Sequence, residues 1–303
     1  MSTQDLNELN TRFGIPGQVT FKKGAGGLLR VDVGNSLSSA QILLQGAHLL
    51  TWAPRGERPV IWLSRAAKFA AGKSVRGGVP VCWPWFGPHA AESSFPAHGF
   101  ARTVLWDVKQ VSALANGATA IVFQLSPTDA TRAQWPHDTA LELRVTVGAV
   151  LVMDLVTRNN SSTPVTIGDA LHTYFEISDV RDIRVHGLGG CAYLDKVDGG
   201  KRKAQVGPVK FDGETDRIYL ESVADCLIDD PRWNRRIRIS KSGSRSTVVW
   251  NPWIEKANKM GDLGANGYLD MVCVESTNAA DDVVTIAPGA SHTLRVRYGV
   301  EPL

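Results

Sequence analysis

Period two runs through most of this 303-residue chain and constrains its fold more than any single motif. Residues 141–147 (LELRVTV) alternate strictly between apolar and polar side chains, as in a strand with one face in a core. Gly148-Ala149 separates them from the apolar run 151–156, so the two read as a hairpin. Asn116-Gly117, the strongest short hairpin signal, joins residues 104–111 to 119–125. Strand-like runs also occupy 28–33, 40–44, 48–52, 183–186, 206–211, 237–239 and 246–250. Near the end, 283–286 and 294–298 bracket the turn residues 287–290, and Ser242-Gly243 supplies another turn. One helical turn is expected within residues 3–13. Only 252–261 reads as a fuller helix, with Pro252 near its start and Gly261 closing it. The pattern predicts an all-β fold of antiparallel strands with few short helices. No low-complexity linker divides it, so residues 1–303 read as one domain after a polar lead at 1–17.

Composition narrows the function by exclusion. With 43% hydrophobic and 21% charged residues the chain can bury a substantial core. A net charge of +3 without a Lys/Arg block argues against nucleic-acid binding; the densest basic run, 232–238, falls in a strand-like segment. Cys82, Cys191, Cys226 and Cys273 are scattered, with no metal-ligand spacing, which predicts reduced thiols, a cytoplasmic location and no metal. No apolar run approaches the roughly 20 residues a membrane span needs, and no signal layout appears at the N-terminus.

The richest local cluster runs from Arg76 to Arg102. It packs two Arg, His89 and His98, Trp83 and Trp85, and a row of Gly and Pro into one span. Glycines let a backbone approach a ligand, Trp faces suit flat apolar surfaces, and an Arg fork suits an anionic oxygen. The cluster reads equally as the wall of a pocket for a small anionic ligand or as a rigid Trp/Pro-rich core loop. The run VRGGVPVCWPWFG followed by AHGFAR resembles the signature of the hexose-6-phosphate mutarotases, or glucose-6-phosphate 1-epimerases. These are a branch of the aldose 1-epimerase, galactose mutarotase-like superfamily. DALHTYFEISD (169–179), ETDRIY (214–219), WNPWIEKANKMGDLG (250–264) and MVCVESTNA (271–279) resemble the same family in the same order. The resemblance implies a galactose mutarotase-like β-supersandwich with its site on the concave face of one sheet.

Two residues suit the reaction so implied. His172 lies in an otherwise apolar segment, and a lone His there is more often a satisfied core residue than a catalyst. Glu275 ends the apolar run 271–274, where a buried carboxylate needs a partner unless it serves chemistry. Interconverting sugar anomers needs a base for the C1 hydroxyl proton and an acid for the ring oxygen, with neither metal nor redox cofactor. Glu ionised at neutral pH accepts a proton, and His, titrating near neutrality, donates one. The resemblance assigns His172 as acid and Glu275 as base. It assigns Arg76 and Arg102 to the phosphate, Asp216 to sugar hydroxyls and His98 to a supporting pocket contact. Lys68 and Lys73 lie close enough in sequence to add charge. Some members carry Gln before the HG motif; here that position is Ala97, which alters hydroxyl recognition. The expected partner is a small hexose phosphate, with no nucleic acid and no membrane, and the chain is expected to act as a monomer. Rival readings are a free-sugar aldose 1-epimerase, which would not need both arginines, a non-catalytic phosphosugar-binding protein, which would need neither His172 nor Glu275, and a purely structural sandwich.

Overall fold

The computed structural model describes residues 5–303. Two eight-stranded antiparallel sheets carry the fold. One has the order Lys201–Ala204, Ala192–Asp195, Thr215–Tyr219, Ser246–Asn251, Met271–Thr277, Ala170–Leu171, Val81–Cys82, and Tyr174–Glu176 also pairs with Met271–Thr277. The other has the order Arg184–His186, Cys226–Asp230, Arg235–Ser242, Ser291–Pro302, Leu151–Asn159, Thr139–Val147, Thr119–Leu125, Asp107–Ala113. A four-stranded meander (Val19–Lys23, Leu29–Gly34, Ser38–Leu43, His48–Pro54) precedes them.

The two large sheets share a core. Phe175 of the first meets Tyr298 of the second edge to face, with ring centroids 5.1 Å apart. Tyr298 Oη and Thr173 Oγ1 are hydrogen-bonded at 2.6 Å, and Trp83 Nε1 donates to Thr157 Oγ1. The strand Met271–Thr277 is buried on both faces, which explains why its sequence is a continuous apolar run and not an alternation. Val272 and Val274 point into the core between the sheets, while Met271 and Cys273 join Trp62, Tyr174, Val248 and Trp250 in a separate cluster on the opposite face. That second face carries the cleft described below.

The expected hairpins at 116–117 and 148–149 are present. Three local expectations need correction. Residues 206–211 do not form a strand: Pro208 lacks an N–H and Gly207 has φ +63°, so Val206 is 89% exposed and only Val209 bridges to Val185. The strand Lys201–Ala204 was hidden by its polarity, charged side chains being typical of a sheet edge. A second short helix, Asp129–Gln134, joins Trp253–Lys259; Thr128 and Thr131 form a reciprocal capping box at its start. The N-terminal helix covers Leu6–Phe13, capped by Asp5, and Thr3 lies outside the described residues. The basic run 232–238 is occupied by local partners: Arg232 pairs with Asp182, Arg236 with Asp229, and Arg238 with Glu301 and Asp225.

Candidate active site

Strand register builds the floor of the cleft. Leu194 faces Ile218, Ile218 faces Val248, and Val248 faces Glu275 on successive strands. Asp216 faces Trp250, and Trp250 faces Cys273, which faces Tyr174 on its other side. Because alternate residues of a strand share a face, these two rows lie side by side. His172 enters where the chain breaks between Ala170–Leu171 and Tyr174–Glu176. The Thr173 N–H turns back to the Leu171 carbonyl, and the His172 N–H donates to the Pro80 carbonyl. The imidazole stacks on Tyr174, with centroids 5.0 Å apart and planes 10° from parallel, and meets Trp250 edge-on.

The wall comes from the Gly/Pro-rich cluster. The Gly78 N–H donates to the Trp62 carbonyl and the Tyr174 N–H to the Gly78 carbonyl, tying the wall to the floor. Gly99 has φ +70°, and a Cβ there would lie 1.9 Å from the Trp83 carbonyl oxygen, so only glycine fits. That close approach seats His98, whose N–H donates to the Gly87 carbonyl and whose Nδ1 accepts from the Gly87 N–H. Together these residues enclose a cleft of about 620 Å³ lined by Arg76, His98, Arg102, His172, Asp216 and Glu275 among others. A wider depression of about 840 Å³ along residues 16–18, 34–39 and 53–57 carries none of them.

His172 Nε2 and Glu275 Oε1 are 3.4 Å apart, with His172 13% exposed and Glu275 1% exposed. Glu275 Oε2 and His172 Nδ1 are buried without a hydrogen-bond partner. Burial pushes the Glu275 carboxyl well above its ordinary range and Asp216 adds to the rise, against the pull of Arg102. Burial pulls His172 well below its ordinary value, assisted by His98, Arg102 and Arg76. Both shifts favour the uncharged form of each group, and at this separation the titration belongs to the pair and not to either residue.

The two arginines differ. Arg76 Nε donates to Asp262 at 3.1 Å and its NH1 to Tyr174 Oη at 3.0 Å. Arg102 donates only to the Ala97 carbonyl, at 2.8 Å, with no carboxylate in ion-pair range among the described residues. Burial, first, and the Arg102 charge push His98 down to about 4, leaving it a neutral ring. Asp216 is raised by burial against the opposing charges of Lys256 and Lys196. Lys68 and Lys73 are exposed and do not line the cleft, and His89 accepts from the Glu92 N–H in an exposed turn. Sequence reasoning missed Tyr174, Trp250, Asp262, Lys196 and Lys256 in the lining. Tyr174, Trp250, Asp262 and Lys256 stand inside the recognised motifs and could have been found there; Lys196 has no sequence signal.

Fold and cleft together define a class: antiparallel β-sandwiches that hold a small polar ligand against the open face of one sheet. Residues 30–299 match the family described as aldose 1-epimerase, and the chain belongs to that family. It is 40% identical over 243 residues to an Escherichia coli protein provisionally named a glucose-6-phosphate 1-epimerase, covering 80% of each chain. The crystal structure of a provisionally named mutarotase, YeaD, from Salmonella typhimurium superimposes with a TM-score of 0.89 at 34% identity, over 96% of each chain. A galactose mutarotase-like protein from Clostridium acetobutylicum shares the fold at 14% identity, with a TM-score of 0.73 over 94% of this chain and 98% of its own.

Proposed function

We propose that this chain is an isomerase that interconverts the α and β anomers of a hexose 6-phosphate, glucose 6-phosphate foremost, by opening and reclosing the ring at C1. The observation that carries the reading is the His172–Glu275 pair, 3.4 Å apart on the floor of a cleft whose wall presents Arg102 without a carboxylate partner. The C1 hydroxyl and the ring oxygen are both bonded to C1, so an acid and a base acting on them must themselves be neighbours. In this reading the pair holds one proton, and the working form is imidazolium and carboxylate, reached when that proton crosses from Glu275 to His172. Glu275 then accepts the C1 hydroxyl proton while His172 protonates the ring oxygen, and the C1–O5 bond breaks to the open aldehyde. Rotation about C1–C2 and the same transfers in reverse close the other anomer and restore both residues.

Arg102 would take the phosphate as a charge-assisted fork, with Arg76, already oriented by Asp262 and Tyr174, completing the anion site. Asp216 and His98 would meet hydroxyls, and Ala97 leaves one such contact to other groups. The names of the curated relatives point to the same substrate. The reading takes the enzyme as a cytoplasmic monomer.

Magnetisation-exchange NMR between the anomers of glucose 6-phosphate, beside glucose, tests this directly. Acceleration confined to the phosphorylated sugar is expected. Equal acceleration of glucose would move the assignment to a free-sugar epimerase, and binding without exchange would reduce the chain to a phosphosugar-binding protein.

A further inference from the structure

Buried beneath the cleft, and not among its lining residues, lies a third donor that anomer interconversion does not use. Cys273 stands two residues before Glu275 on the same face of the strand Met271–Thr277. One ligand atom each from His172, Cys273 and Glu275 lie within 4.8 Å of one another. Glu275, 1% exposed, also has its second oxygen, Oε2, without a hydrogen-bond partner among the described residues.

Coordination geometry makes the trio specific. Zinc bonds to imidazole nitrogen and carboxylate oxygen are about 2.0–2.2 Å, so the N···O edge of a tetrahedral site is about 3.4 Å. His172 Nε2 and Glu275 Oε1 are already 3.4 Å apart. The sulfur needs to close only to an edge of about 3.6 Å, consistent with a zinc–sulfur bond of about 2.3 Å. One nitrogen, one sulfur and one oxygen suit zinc and its thiophilic neighbours, and not magnesium or calcium, which take oxygen. The fourth position would face the cleft.

We propose that His172, Cys273 and Glu275 form a site for a thiophilic divalent cation of the zinc class, and that its occupation blocks the enzyme. Binding forms metal–nitrogen, metal–sulfur and metal–oxygen bonds and releases the thiol proton and the proton on the His172–Glu275 pair to solvent. Thiolate and carboxylate then neutralise the two charges of the cation. The site stands on geometry alone; only the block rests on the proposed acid–base roles.

Calorimetric titration of the full chain with zinc chloride, and with magnesium chloride as control, tests the site. X-ray absorption at the zinc edge reads the ligands, and anomer exchange is followed on the same samples. One zinc per chain with a sulfur neighbour at about 2.3 Å is expected, with no competition from magnesium. Loss of an outer-sphere partner alone lowers metal affinity 10–100-fold, so Cys273→Ser and Cys273→Ala should each weaken zinc about 100-fold or more. Whatever anomer exchange each variant retains should be insensitive to zinc at concentrations that block the unsubstituted protein. No saturable zinc binding, zinc without a sulfur neighbour, or undiminished affinity in both variants would overturn the site. Zinc held through sulfur while exchange continues undiminished would overturn the block. If zinc binds through sulfur and the metal-free protein exchanges neither sugar, the metal site stands and the epimerase reading falls.

Discussion

At the scale of single residues, the proposed chemistry turns on where one proton sits. Glu275→Gln or His172→Asn should each lower kcat for glucose 6-phosphate by about 10²–10⁴-fold, the usual worth of a positioned acid or base. Exchange NMR, with retention of substrate binding, would measure it. The pH profile follows from the opposite shifts of the pair. A second proton must add to an imidazole lowered below its ordinary 6.5, and the shared proton must leave a carboxyl raised above its ordinary 4.5. The kcat/KM plateau should therefore extend below pH 6.5; an acid limb at or above that value would contradict the pairing. Arg102→Ala should raise KM for the phosphorylated sugar about 10–100-fold and leave glucose unaffected, as expected for a lost charge-assisted hydrogen bond. Asp169 offers a test of stability. It is fully buried, neither carboxyl oxygen has a partner, and burial, with Asp282, raises it from 3.8 to about 8. A raised carboxyl stabilises the fold below the unfolded value and loses that contribution as pH rises through about 8. Asp169→Asn should thus raise Tm at pH 8 and change it little at pH 4. The motifs that carry His172 and Glu275 were legible in the sequence, but their 3.4 Å approach and burial were not, because both are properties of the folded sheet.

At the scale of elements, most strands were legible because alternation and turn residues are local. The failures have local causes as well: Pro208 interrupts a run whose side chains otherwise favour a strand, and the basic residues of Lys201–Ala204 disguise an edge. The wall at 76–102 could be read as pocket or core from sequence, since both need Gly and Trp. The structure combines the two, with Trp83 buried in the core while Arg102 faces the cleft. Gly99→Ala should therefore damage both. Its Cβ meets the Trp83 backbone and φ is positive, so a loss of about 1–3 kcal/mol in stability is expected. KM for the phosphorylated sugar should rise with it, as His98 and Arg102 are displaced; thermal unfolding and exchange kinetics on one sample would show the two together.

At the scale of the molecule, the sheet-to-sheet contact binds the cleft to the core. Thr173, next to His172, is hydrogen-bonded to Tyr298 of the opposite sheet, and Phe175 packs on the same ring. Tyr298→Phe should cost about 0.5–1.5 kcal/mol in denaturant unfolding, the worth of one hydrogen bond, since Thr173 Oγ1 still donates to the Leu171 carbonyl. We propose that residues 5–303 unfold as one domain, so calorimetry should show a single transition. The cleft strands have a further consequence, which concerns how such a protein can change. Their alternation hands Leu194, Asp216, Ile218, Val248 and Trp250 to the ligand, and Tyr193, Tyr219 and Val249 to the core. Substitutions at the first set can alter what the cleft accepts while the second set goes on holding the sheets together. Selectivity for a new sugar can then be acquired by descent with the scaffold intact, one cleft-lining position at a time.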